Sequence, residues 1–427
     1  MPFPRMVRIR QKFEAPRVEN IPAEVDRQLA ALDLAKKVKP GQTVAITAGS
    51  RGIANIAVII KATCDHFRKL GAVPIIIPAM GSHGGGTPEG QRAIVEGYGI
   101  TEEYCGAEIR SSMETVIVDR TEQGVPVHFD KHAFECDHVV VCGRIKPHTG
   151  FVGEIESGLH KMMLIGLGKH EGAKIYHRAI LDYSFLEIIT AVADVVLKKC
   201  KVVAGIGIIE NAYDETAMIE AVPPERFFER EKELLVIARR WMPRLPFKKV
   251  GLLIVDEIGK NISGAGMDTN VVGRKYSDHN ATEKDDVACK RIFVRGLTYE
   301  THGNGCGLGI GEFTTQRAVD QVDMNITRIN ALTGGHPAAA SIPCVYPNDY
   351  EAIEAALETV GLDEPENSRV VHISNTLHLR EVLVSEAYLP EVRDRADLEI
   401  LDGPSEMEFD ADGFLAAVFA GAAAGAH

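Results

Sequence analysis

The sequence predicts an α/β fold of two α/β domains with mainly parallel sheets and an active site in the interdomain crevice. Three observations predict it. Short apolar or β-branched runs alternate with stretches of helical apolar spacing. The runs are nearly continuous in apolar character, as in strands covered on both faces. At 427 residues and 45% hydrophobic content, the chain exceeds what one compact core accommodates. In chain order, Gln42 to Thr47 reads as a strand, Asn55 to Leu70 as a helix and Val73 to Ile77 as a strand, a βαβ unit. A hairpin is expected from Thr115 to Asp119 and Pro126 to Phe129 around Glu122-Gln123-Gly124. Val139 to Cys142 is a further apolar strand, then come a helix from Phe185 to Lys199, a strand from Val202 to Ile209 and a charged helix from about Pro224 to Trp241.

Pro243 and Pro246, directly after that helix, mark the domain boundary. The expected division is 1–245 for the N-terminal domain, 248–400 for the C-terminal domain, and a tail, 401–427, returning to the first. The second domain is predicted to hold strands at Leu252 to Val255, Arg291 to Arg295 and Arg369 to Ile373, with helices near 314–331, 349–360 and 381–393.

Composition excludes several function classes. A net charge of -13 without a Lys/Arg-rich run argues against nucleic acid, whose binding rests on clustered positive charge. No run approaches the roughly 20 apolar residues of a membrane helix, and the N-terminus lacks an apolar signal region, so a cytoplasmic protein is expected. The eight cysteines show neither a CxxC pair nor regular spacing, so a zinc ribbon or disulfide framework is not indicated.

In open parallel sheets, ligands bind beyond the carboxyl ends of the strands. Three such loops stand out: Ala48-Gly49-Ser50-Arg51-Gly52, Met80-Gly81-Ser82-His83-Gly84-Gly85-Gly86, and Gly143-Arg144-Ile145-Lys146-Pro147-His148-Thr149-Gly150. Each sets a cation or imidazole among glycines, an arrangement suited to a small anion. Any one of them alone reads as solvated loop chemistry. Together on one sheet edge they read as a site, with His83 and His148 able to serve as paired proton acceptor and donor. The next segment, from Glu154 through Ser157-Gly158-Leu159-His160-Lys161 to His170 and His177, mixes apolar and cationic residues. A lysine entering an apolar helix is either a desolvated nucleophile or a snorkelling side chain, and spacing alone leaves both readings open. His160, His170 and His177 lack an HExxH arrangement, so a zinc hydrolase is poorly supported.

These residues resemble the nickel-dependent lactate racemase family, whose members racemise or epimerise 2-hydroxy acids. Four elements occur in the family's order over roughly residues 40–180: Arg51 after the first strand, His83 in a Gly-rich loop, Pro147-His148, and Ser157-Gly158-Leu159-His160-Lys161 followed sixteen residues on by His177. The resemblance implies a nickel-pincer nucleotide, a pyridinium-type mononucleotide joined through a thioamide to Lys161 and built by separate maturation enzymes. His177 would be the protein's nickel ligand, His83 and His148 the acid/base pair, and Arg51 the carboxylate anchor. Of the family's common Asp-His-Thr-Arg-Pro loop this chain keeps only the arginine, and three extra residues separate its Pro-His pair from the lysine. In the second domain, the family's tyrosine and glutamine are missing from the nearest stretch, Asp268 to Lys275, and Lys260, Asn261 and Arg274 are their implied substitutes as cofactor contacts.

The run His302 to Gly309 has G-x-G-x-G-x-G spacing and not the G-x-G-x-x-G that opens a dinucleotide-binding helix, so close backbone packing and a structural Cys306 are expected. Two rival readings are an NAD-dependent 2-hydroxy acid dehydrogenase, which lacks its glycine fingerprint here, and a non-catalytic relative binding small anions.

Overall fold

The computed structural model describes all residues except Met1, Arg51, Phe151, 275–286, 334–336 and 420–427. The chain divides into two compact units: Ala15–Met242, and Met1–Glu14 together with Pro243–His427. Both are α/β with mostly parallel sheets.

Strand β1 (Met6–Gln11) belongs to the second unit. In the first unit, β2 (Thr43–Ala48), β3 (Val73–Pro78), β4 (Glu108–Ile109), β7 (His138–Arg144), β8 (Val202–Glu210) and β9 (Thr216–Val222) form a six-stranded sheet. Its order is β4-β3-β2-β7-β8-β9, parallel except for β9. The predicted hairpin is β5 (Thr115–Arg120) and β6 (Pro126–Asp130), antiparallel and separate from the sheet.

Strand alternation accounts for the two-sided core. Ala45, Val139 and Val141 face one cluster with Leu159, Leu164, Ile188 and Leu235; Val44, Ile46, Val140 and Cys142 face the other with Ile56, Ile59 and Ile60. The first face is covered by helices α1 (Lys169–Asp182), α2 (Phe185–Lys199) and α3 (Phe227–Trp241). Helix α2 starts with a capping box in which Ser184 and Glu187 satisfy each other's backbone N–H groups.

The second unit holds an eight-stranded sheet. Its strands are β1, β10 (Lys249–Val255), β11 (Ala288–Val294), β12 (Phe313–Thr315), β13 (Cys344–Tyr346), β14 (Val370–Ile373), β15 (Glu381–Ser385) and β16 (Leu398–Ser405). The order is β13-β12-β11-β10-β14-β15-β1-β16, parallel from β13 to β14 and antiparallel beyond.

The second unit corrects four sequence expectations. Residues 1–14 lie outside the N-terminal unit because β1 pairs with both β15 and β16, a contact across nearly the whole chain that no local pattern reveals. The predicted helix 381–393 is strand β15 followed by a short helix at Leu389–Arg393; Val382, Leu383 and Val384 are buried between two strands. The helix expected near 314–331 is likewise interrupted: β12 takes its start, and helices Gln316–Asp320 and Met324–Thr333 follow. The tail does not return to the first unit as far as Phe419, since Phe409, Val418 and Phe419 pack against the second unit's own core; residues 420–427 lie outside the described residues.

At the carboxyl edge of this sheet, Arg295 bridges Asp256 and Asp349, and His372 Nε2 lies 2.7 Å from Asp256 Oδ1. Burial alone would raise the Asp256 carboxyl, but His372 and Arg295 outweigh it and hold the group below its ordinary 3.8. A carboxyl depressed by folding contributes stability above its unfolded pKa and loses it as pH falls through the folded value. Asp256→Asn should therefore cost roughly 3–5 kcal/mol at pH 7, the cost of breaking a buried pair. Its deficit against wild type in thermal melts should shrink once pH drops below 3.8.

Candidate active site

Strands β3, β2 and β7 are adjacent and parallel, so the loops that follow them emerge side by side at one edge. All three strand ends abut the segment that follows Lys161. A Cβ on Gly49 would lie 3.2 Å from Met162 Cε, and one on Gly143 3.6 Å from the same methyl. One on Gly81 would lie 2.9 Å from Ile165 Cγ2, and Gly81 has a φ of +61°, so both crowding and backbone require glycine there.

His83 and Ser50 belong to neighbouring loops and meet through His83 Nδ1 and Ser50 Oγ. Each loop is braced from behind. Tyr98 donates to the Ser50 carbonyl at 2.8 Å, and Gln91 Nε2 donates to the Gly81 and His83 carbonyls at 2.8 and 3.2 Å. Arg51 lies outside the described residues; beside it, the Gly52 carbonyl accepts from Arg144 at 3.2 Å.

His148 sits on a loop closed by the Lys146–Ser157 bridge. Its backbone N–H donates to Glu156 Oε2 at 2.5 Å, and Glu156, fully buried, also accepts from Arg239 of α3 at 2.5 Å. Gly150 N–H donates to His148 Nδ1 at 2.9 Å, and the ring stacks on Phe185 at 6.0 Å and 28°. An Nδ1 that accepts a backbone N–H carries no proton, so a neutral His148 holds its proton on Nε2.

Lys161 ends the short helix Leu159–Lys161 and leads into a π-helical turn, Met162–Gly166, a distortion common at functional sites. It is partly buried, with Nζ 3.5 Å from Ser157 Oγ. The turn is pinned by Glu231 of α3, whose Oε2 accepts from the His160 backbone at 3.1 Å and faces His160 Nδ1 at 2.8 Å. Lys169, at a φ of +54°, breaks the helical run where α1, which carries His177, begins. The Gly81 loop touches both arms, since the same Cβ would lie 3.6 Å from Ala173. Lys161 comes four residues before Ile165 and His177 four after Ala173, so each stands one turn from a Gly81 contact.

Among the described residues no three His, Cys, Asp or Glu side chains are grouped to hold a metal ion. An imidazole at His177 and an amine at Lys161, each one turn from a Gly81 contact, would suit a group that brings its own metal donors.

Residues 5–185 match the lactate racemase N-terminal domain. That stretch is similar to the N-terminal domain of lactate racemases. The matched span contains Arg51, His83, His148, Lys161 and His177. Among solved structures, the lactate racemase apoprotein from Thermoanaerobacterium thermosaccharolyticum is 13% identical, with 81% of this chain and 86% of that one covered at a TM-score of 0.47. A protein from Thermotoga maritima is 12% identical over 64% and 70% of the two chains, at a TM-score of 0.43. No curated protein sequence matches this chain.

In the C-terminal unit, the implied cofactor residues are scattered in role. Lys260 Nζ donates to the Gly264 carbonyl at 2.7 Å, and exposed Asn261 accepts from Thr298 at 2.7 Å. Arg274 is a correction: its side chain is fully buried, bonded to the Cys289 carbonyl at 2.8 Å and to Glu312 at 3.0 Å, which commits it to the interior of its own unit. Cys306 is buried with Sγ 3.5 Å from the Thr327 carbonyl, and burial raises its thiol pKa, in keeping with a structural cysteine. Sequence reasoning missed Ser50, Glu156 and Glu231 as supports of the site loops. Glu231 is 71 residues from His160 in sequence, so no local signal reveals the pair.

Proposed function

We propose that the protein racemises or epimerises a 2-hydroxy acid, with a nickel-pincer nucleotide carried on Lys161. The observation that carries this reading is the convergence of the Ser50, His83 and strand β7 edges on the turn that bears Lys161. When bound, the nucleotide supplies a hydride acceptor for the substrate's C2.

The chain's own residues do the rest. Arg51 anchors the carboxylate as a bidentate pair. His83 takes the hydroxyl proton at Nε2, its ring oriented through Nδ1 by Ser50. His148 holds the substrate oxygen through its Nε2–H from the other loop. It returns a proton to that oxygen as imidazolium, leaving a neutral ring, which requires the Gly150 N–H to release Nδ1 so that both ring nitrogens are protonated beforehand; the reverse turnover exchanges the two histidines' roles. His177 would hold the nickel, its imidazole a donor compatible with nickel beside soft ligands. Lys260 and Asn261 are the remaining proposed cofactor contacts. The protein's natural partners are then a small 2-hydroxy acid and the enzymes that build the cofactor. No described helix is long and apolar enough to cross a membrane; a cytoplasmic enzyme is the corresponding proposal.

The test is racemisation of an enantiopure 2-hydroxy acid panel by nickel-loaded protein in D2O. A hydride that leaves and returns is shielded from solvent, so the opposite enantiomer should form without deuterium at C2. Deuterium at C2 would mean proton abstraction from carbon, and no turnover across the panel by loaded protein would end the racemase reading.

A further inference from the structure

The buried ammonium of Lys169 has no part in the chemistry above. The residue is fully buried, yet its Nζ donates to the Pro78 carbonyl at 2.6 Å and to Gln91 Oε1 at 2.8 Å, with Asp130 Oδ2 3.4 Å away. Burying an ammonium and a carboxylate is costly, and apolar side chains of similar volume commonly serve packing as well or better. Packing is therefore a weak reason for a lysine here.

Its partners suggest a better one. Pro78 ends β3, where the His83 loop begins. Gln91 is fully buried on the helix Pro88–Gly97 that ends the loop, and its amide donates to the Gly81 and His83 carbonyls. Asp130 ends β6 and also caps the helix Lys131–Glu135 through Ala133 N at 2.8 Å. Lys169 itself opens α1, eight residues before His177. One ammonium thus ties both ends of the His83 loop to the helix that carries His177. Burial pushes the Lys169 ammonium down and the Asp130 carboxyl up, the cost at which this tie is held.

We propose that Lys169, with Asp130 as counter-ion and Gln91 as relay, is a positioning residue that fixes His83 relative to the His177 helix. This rests on the racemase reading for its effect on rate, but the tie itself is testable without turnover. Lys169→Met removes the ammonium. Gln91→Glu keeps an acceptor for Lys169 and loses the N–H groups that hold the loop carbonyls, a second variant should the first fail to fold.

In nickel-loaded protein each variant should lower kcat about 10- to 100-fold, the scale expected for sub-ångström to ångström misplacement of a catalytic group. KM and nickel content should stay within about twofold, because neither variant touches substrate or metal. Hydrogen exchange of the peptide spanning 79–91 should quicken in unloaded protein, with exchange elsewhere unchanged. Unaltered kcat, a loss of rate matched by loss of nickel, or unaltered exchange of that peptide would overturn the proposal. If wild type neither loads nickel nor turns over a hydroxy acid, the racemase reading fails by itself, and the exchange experiment still decides whether Lys169 holds the loop.

Discussion

His83→Ala and His148→Ala should each lower racemisation by about 10²- to 10⁴-fold, the range of a lost general acid or base, while nickel stays bound. The two histidines stand on separate loops, and the proposed nickel ligand His177 on a third element, α1. Removing either imidazole therefore leaves the Lys161 and His177 attachments untouched. Chiral chromatography of product alongside metal analysis reads both quantities. Ser50→Ala separates orientation from chemistry: it removes the hydroxyl that meets His83 Nδ1 and keeps the imidazole, so it should fall between wild type and His83→Ala. Loss of nickel in either histidine variant would contradict the assigned roles.

His177→Ala should lose nickel and activity together, while the nucleotide stays on Lys161. The expectation follows from the donor set. Among the described residues no cluster of three ligating side chains is available to replace a lost imidazole, so the metal would be held by its cofactor alone, and a site losing one of few ligands loses affinity steeply. Nickel content against intact mass distinguishes this from a folding defect, which would remove both. Retention of stoichiometric nickel in His177→Ala would assign the ligand elsewhere.

Much of this was legible in sequence for a physical reason. Parallel strands covered on both faces must be apolar throughout, so β2, β3, β7 and β8 stand out as continuous runs, and the loops after them carry the imidazoles. What was illegible is non-local. Strand β1 looks like an unremarkable N-terminus until it pairs with β15 and β16. Glu381 to Ser385 has no neighbour in sequence that says strand; its two partners are supplied by β14 and β1. Arg274 looks like a free cation beside a helix end, and only the fold turns it inward toward Cys289 and Glu312. Within the site, the reactive types were visible as unusual residues among glycines. Their supports, Ser50, Gln91, Glu156 and Glu231, are ordinary polar residues whose meaning lies in what folding sets beside them.

The most direct test of the central claim is the mass of the Lys161 peptide in protein produced together with nickel-cofactor maturation enzymes, with nickel measured on the same sample. The account predicts a nucleotide-sized increase confined to that peptide, absent in Lys161→Ala, with nickel near one per chain. An unmodified Lys161 under conditions that load a lactate racemase would contradict it, and Arg51, His83 and His148 would need a different chemistry.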